Sequence, residues 1–294
     1  MRATFFCALI LAVAIGLVAP STYSWANDLP EIKTSGVLRH LGIPYANFIT
    51  GQGDGFDVEI IKAFCEHLGV KYEFVQEDWP TALPSLIGKK FKLQDGDVNF
   101  IADAPVKGDL LANGLTVLSW REKILNYSSP TFPTQVWLVV RADSPLTPIT
   151  PTGDINKDIE LTRAKLKDLT ILCKSGTCLD PSLFNLTPTG VTAKDFAGSL
   201  NDLAPAVIVG DAPATLLDVP DAIIALQKYP GKIKIIGPLT GKQEMAVGFR
   251  KDQPLLRDEF NKFYAQFKAS GKYEALVYKY YPLVFTYFPE FFKK

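Results

Sequence analysis

The chain predicts an α/β protein, because short apolar runs rich in β-formers alternate with segments of helical periodicity through most of its 294 residues. The runs are continuously apolar, as strands buried on both faces of a parallel sheet tend to be. The length suits one large or two medium domains. Residues 37–43 read as the first strand, and residues 72–75 as the second. Between them Phe56–Leu68 reads as a helix, with Phe56, Ile60, Phe64 and Leu68 spaced by four and Gly69 as a left-handed stop. Residues 137–140, 169–172, 206–209 and 233–236 are the later strand candidates. Near the end, Pro254–Ala269 carries Leu255, Leu256, Phe260, Phe263 and Phe267 at helical spacing, opens on a proline and stops before Gly271.

Two stretches break this rhythm. Residues 89–107 are mixed and charged, yet enclose a strand-like segment at 98–102, which marks an insertion. Residues 144–158 are rich in Pro, Thr, Gly and Asp and read as a surface excursion. The closing YYPLVFTYFPEFFKK is aromatic, broken by two prolines, and expected to wrap over a core.

The N-terminus sets the compartment. Arg2 precedes an apolar run at residues 5–18 and then the small-residue signal Ser24-Trp25-Ala26, the pattern of a cleaved secretory leader spanning residues 1–26. The run is short against the roughly 20 residues of a membrane span, and Cys7 is placed too early for a lipid-anchoring cleavage point. A freely diffusing periplasmic protein is expected, acting as a monomer. The 31 basic and 31 acidic side chains balance, which argues against nucleic acid or an anionic membrane surface as partner. Past the leader remain Cys65, Cys173 and Cys178, an odd set in which Cys173 and Cys178 are the candidate disulfide. Neither metal nor cofactor is expected: the cysteine spacing has no second zinc-like half, and His40 and His67 are isolated.

Hydrolytic chemistry lacks its usual signals. There is no G-x-S-x-G elbow, no H-E-x-x-H helix and no set of residues around the two histidines from which to build a triad. Recognition of a small molecule fits the polar residues better. Arg121 in GLTVLSWREK can grip a carboxylate through two parallel hydrogen bonds, and Thr116 five residues earlier can add a hydroxyl. Asp211 follows the apolar AVIVG, at what reads as the carboxyl end of a strand, where open α/β sheets place ligands and where an ammonium could be held. Tyr45 and Trp79 are candidate aromatic walls.

With these residues in view, the chain resembles the periplasmic solute-binding proteins of family 3, the substrate-binding proteins of amino-acid ABC importers. The resemblance is carried, in order, by GVLRHLGIPYANF with GFDVEIIKAFCEHLGVKYEFV, by NGLTVLSWREKILNYSSPTF, by DLTILCKSGTCLD, by IVGDAP and by MAVGFRKDQPLLRDEFNKFYAQFKASGKYEALVYKYY. It implies a type II periplasmic binding fold: two α/β lobes joined by two crossings, lobe I being residues 27–133 with 241–294 and lobe II residues 134–240. It implies Arg121 and Thr116 on the ligand's carboxylate, Gly114 and Asp211 toward its ammonium, and Tyr45 and Trp79 against its side chain. The family's Gly-Thr-Thr anion site at a helix start is replaced by Gly176-Thr177-Cys178, and the proline of its aromatic turn by Asn47. The implied function is capture of an amino acid or similar zwitterion for an ABC permease, without enzymatic turnover. A cyclohexadienyl-dehydratase-like enzyme and a ligand sensor docking on a separate receptor are the alternatives on the same scaffold.

Overall fold

The computed structural model describes residues 28–94 and 96–293, so the expected leader at 1–26 lies outside them. The chain enters through α1 (Leu29–Ser35) and continues through β1 (Val37–Gly42), α2 (Phe56–Leu68), β2 (Lys71–Gln76) and α3 (Trp79–Ile87). The inserted segment forms a hairpin, β3 (Lys89–Gln94) with β4 (Asp97–Asp103), before β5 (Leu110–Leu111), α4 (Ser119–Glu122) and β6 (Leu125–Tyr127). β7 (Phe132–Thr134) leads to β8 (Val136–Arg141), α5 (Ile155–Ala164), β9 (Thr170–Cys173), β10 (Thr192–Asp195), α6 (Leu203–Val209), β11 (Ala214–Asp218), α7 (Val219–Lys228) and β12 (Ile233–Pro238). β13 (Gln243–Met245) returns to β14 (Gly248–Arg250), and α8 (Pro254–Ala269), α9 (Lys272–Tyr280) and α10 (Val284–Tyr287) follow.

Two five-stranded sheets result, ordered β2-β1-β5-β14-β6 and β10-β9-β11-β8-β12, each the centre of one lobe. β7 and β13, the two segments that pass between the sheets, pair antiparallel. The reading of residues 137–140 as a buried parallel strand is corrected in direction: β8 pairs antiparallel with both β11 and β12. Its Val136, Leu138, Val139 and Val140 are buried because β8 is an interior strand between β11 and β12, whatever its direction.

The 206–209 strand is also corrected. Those residues close α6, in which Leu203, Ala204, Ala206 and Val207 are buried while Val209 is 74% exposed. That is the spacing of one helix face, and Gly210 at φ 96° ends it. The strand is Ala214–Asp218, buried throughout. In α8, Leu255 faces solvent and Tyr264 joins the buried face.

The first lobe is keyed by aromatic rings. Phe132 meets Phe48 and Phe56 edge-on, each at 5.3 Å between centroids, and Tyr281 at 4.8 Å. This cluster fixes the 45–49 turn to α9 and to the start of β7. Asn47, in place of the expected proline, completes it: its backbone N–H donates to the Tyr281 hydroxyl at 2.9 Å, which a proline cannot do, and its side-chain amide donates to the Tyr280 carbonyl. The aromatic C-terminus does cover the core, with Val284 and Phe288 buried. Phe132→Ala is expected to lower unfolding free energy by about 3–5 kcal/mol, measured by urea denaturation.

Candidate functional site

Arg121 lies on α4, whose single turn brings it back over Thr116. Its guanidinium is 1% exposed; Nη1 donates to the Thr116 carbonyl at 2.9 Å and Nη2 reaches the Gly176 carbonyl of the second lobe at 3.5 Å. Nε and the Thr116 hydroxyl are buried with no hydrogen-bond partner. None of the ion pairs among the described residues involves Arg121. A buried guanidinium with a free N–H beside a free hydroxyl is suited to an anion, because leaving such donors unmatched in the interior is unfavourable.

The structure does not place Asp211 at the end of a strand. That residue is exposed on the turn after α6, at the start of β11. The carboxyl end of β11 holds Asp218, 1% exposed, five residues of strand away. Asp218 accepts from the Tyr45 hydroxyl of the first lobe and from the Cys178 thiol at 3.3 Å. Asp221, one helical turn on, is buried with Oδ2 unpartnered. Burial holds the Asp218 carboxyl above the ordinary carboxylate range, and Asp221 is driven well above it by burial and then by the charge of Asp218. The signal for Asp218 was present in ATLLDVPDA, an apolar tetrad running into Asp-x-Pro at a helix start. The β-branched run just upstream, which folds as α6, drew the strand assignment away from it.

Tyr45 lies edge-on to Trp79 at 5.9 Å and stacked on Phe48 at 6.2 Å, and its hydroxyl is engaged by Asp218. Ala46 N–H donates to Asn201 at 2.8 Å, so the 45–49 turn spans the cleft by backbone as well as side chain. Gly114 adopts φ 65°, and a Cβ there would meet the Phe48 ring at 2.4 Å, so glycine is required. Its N–H donates to Asp57 at 2.7 Å. Asp57 lies in the first turn of α2, and burial pushes its carboxyl up to about 7.

The Gly176-Thr177-Cys178 segment is not a helix start. It forms a turn after β9, ahead of the 3-10 turn at Pro181–Phe184. Thr177 is engaged within it, donating to the Lys174 carbonyl at 2.8 Å and accepting from Leu179 N–H at 3.0 Å, and Gly176 N–H donates to Asp180. The anion-binding amides expected there are therefore partly satisfied by the protein itself. The disulfide is corrected as well: Cys173 and Cys178 are free and buried, and Cys178 turns its thiol to Asp218. Burial pushes Cys173 up to about 12 and Cys178 higher still, so neither is a reactive thiolate. Among the described residues no group of His, Cys, Asp or Glu could hold a metal ion, and no helix is long and apolar enough to cross a membrane.

Two sheets with a shared double crossing, and a cleft whose buried arginine and aspartate come from opposite lobes, define a two-lobed binding-protein fold. The family of bacterial extracellular solute-binding proteins, family 3, matches residues 42–282, and the chain belongs to it. It is 24% identical over 224 residues to the octopine-binding periplasmic protein of Rhizobium meliloti, covering 71% of this chain and 70% of the relative. It is 24% identical over 239 residues to the histidine-binding periplasmic protein of Salmonella typhimurium, covering 79% and 80%. A membrane-bound lytic murein transglycosylase F of Desulfosudis oleivorans is 26% identical over 230 residues, but only 44% of that protein is covered. Among solved structures, the P235GK mutant of ArgBP from T. maritima superimposes with a TM-score of 0.67 at 25% identity, covering 86% of this chain and 99% of that one. The ancestral amino acid-binding protein AncCDT-1 has the same TM-score at 23% identity, with 86% and 98% covered, and bears on the fold alone.

Asp57 generates a pH prediction. A carboxyl whose folded pKa is raised binds more protons in the native than in the unfolded state, so its contribution falls as pH rises from about 4 to about 7. Asp57→Asn keeps an acceptor for Gly114 N–H without the charge. It is expected to recover roughly 2–4 kcal/mol at pH 8, read as a flatter Tm-against-pH curve in calorimetry.

Proposed function

We propose that the protein captures an amino acid or a related small zwitterion between its lobes, with the carboxylate on Arg121 and Thr116 and the ammonium on Asp218. The observation that carries this reading is the pairing, across one cleft, of a buried arginine with a free N–H and a buried aspartate with no cationic partner. A zwitterion supplies both missing charges at once. The names of the relatives support the same ligand class, since octopine-binding and histidine-binding proteins and an ArgBP stand among them.

The ligand takes the place of the Tyr45 hydroxyl on Asp218 and leaves the ring of Tyr45, with Trp79, against its side chain. The lobes, residues 27–133 with 241–294 and residues 134–240, close about the β7/β13 pair. Because the grip is divided between lobes, only the closed form makes both contacts, and closure follows from that difference in affinity. The closed form is then the one an ABC permease reads, with the protein exported to the periplasm. Cys178 and Asp218 serve to bind, and the cycle is capture and release without a bond being made or broken.

A thermal-shift screen of amino acids, plain dicarboxylates and cyclohexadienyl acids, followed by calorimetry, tests this. A ligand at 100 times its dissociation constant raises stability by about 2.7 kcal/mol. Arg121→Ala and Asp218→Asn are each expected to weaken binding by on the order of 2–5 kcal/mol, whereas Asp211→Ala leaves it unchanged. Binding that survives Asp218→Asn, or a shift with plain acids only, would remove the zwitterion. Because Asp218 must ionise to meet an ammonium and burial raises its pKa, affinity is expected to fall on acidification at a higher pH than an exposed aspartate would dictate.

A further inference from the structure

Beside Arg121 lies a groove of about 430 Å³ that crosses from one lobe to the other. Its first-lobe wall is Trp79 on α3, Trp120 next to Arg121, and Phe91 and Leu93 of the inserted hairpin; the turn at 174–176 faces them. The polar groups on the facing edge are engaged within the protein. Lys174 Nζ donates to the Phe196 carbonyl at 2.7 Å and the Gly198 carbonyl at 3.1 Å, and Asp180 accepts from the N–H groups of Gly176 and Ser182 at 2.8 and 2.9 Å. What the groove offers an occupant is therefore aromatic and aliphatic surface, including Leu93, which is 37% exposed.

The hairpin is held as a wall. A two-stranded hairpin alone is marginal in water, but this one is tied at both ends. Lys123 donates to the Gly96 carbonyl at 2.9 Å and pairs with Asp97 at its tip; at its base Ala104 N–H donates to the Gly88 carbonyl at 2.9 Å and Lys107 pairs with Glu77 at 2.7 Å. The register opposes Phe91 to Phe100 and Leu93 to Val98, which places these four on one face. The Phe91 ring meets Trp120 at 5.8 Å between centroids.

The groove is lined by direct neighbours of the cleft residues. The Gly176 carbonyl in its lining is the one that Arg121 Nη2 reaches, the Trp120 ring lies 5.1 Å from the guanidinium, and Trp79 meets the Tyr45 ring. We infer that this groove seats an extended apolar side chain carried by the captured zwitterion, and that the inserted hairpin makes the protein prefer long aliphatic or aromatic side chains to short or charged ones. The inference rests on the zwitterion reading above. Each methylene moved from water into the groove raises affinity about threefold to fourfold, whereas a charged terminus has to give up its hydration against the aromatic and aliphatic wall.

The test is calorimetric titration with a homologous series: L-alanine, norvaline, 2-aminohexanoate, 2-aminooctanoate and 2-aminodecanoate, with L-lysine as the charged counterpart of 2-aminohexanoate. Affinity is expected to climb with length by about that factor per methylene, with lysine binding more weakly than 2-aminohexanoate. Leu93→Ser and Phe91→Ala are expected to flatten the climb. Ile101→Ser, on the same hairpin but 55% exposed and outside the lining, retains it. A flat series in the unaltered protein, a climb that survives both groove substitutions, or tighter binding of lysine overturns the groove and leaves the zwitterion reading standing. Binding by no member of the series overturns both.

Discussion

A guanidinium removed from water with an N–H still open is the constraint on which the cleft depends. Burying a charge without full compensation is unfavourable by several kcal/mol, and Arg121 is offered two carbonyl oxygens and no carboxylate. The second lobe carries the complementary deficit at Asp218, which is buried and not ion-paired, beside the buried Asp221 carboxyl that is held well above the ordinary carboxylate range. Tyr45 and Cys178 relieve it by hydrogen bonds, which partly satisfy Asp218 without neutralising it. Opposite deficits thus sit on two bodies joined by a double crossing.

The scaffold exists to hold those groups at fixed places. Gly114 is pressed under Phe48 and pinned by Asp57, which sets the path of the chain into Thr116 and α4. Phe48 belongs in turn to the aromatic cluster with Phe132 and Tyr281, so the turn that presents Tyr45 is anchored to the segment that crosses between lobes. Asn47, a departure from the family pattern, is part of that anchor through Tyr281. On the other side, Asp218 sits where a fully buried strand ends and α7 begins, a position with little freedom to shift.

Two departures from the family pattern acquire physical roles together. Cys178, in place of a second hydroxyl, is a weak donor directed to Asp218, and the turn that carries it keeps Thr177 for its own closure. The hairpin at 89–107 brings apolar surface up to the same turn across the cleft, next to Trp120. The surface around this turn is thereby richer in aromatic and aliphatic groups than in free hydroxyls and amides.

Much of this was legible in the chain. Phe56–Leu68 and Pro254–Ala269 form the helices that their spacing predicts, because a regular apolar stripe with a glycine or proline at its end admits few other solutions. Arg121, Thr116, Gly114, Tyr45 and Trp79 were readable as candidates because they lie within a few residues of motifs whose local geometry is short-range. The aspartate was not, since choosing between Asp211 and Asp218 required knowing which of two adjacent apolar runs, AVIV or ATLL, became the strand. Both are apolar and short, and only packing against β8 and β9 distinguishes them. The unpaired state of Cys173 and Cys178, the mixed direction of the second sheet and the placing of the hairpin and the 174–176 turn along one groove are likewise outcomes of long-range packing. Local sequence determined the elements and the candidate arginine; tertiary structure decided that Asp218 rather than Asp211 is the buried carboxylate ending β11, because the pairing of that strand with β8 and β9 is set by residues far apart in the chain.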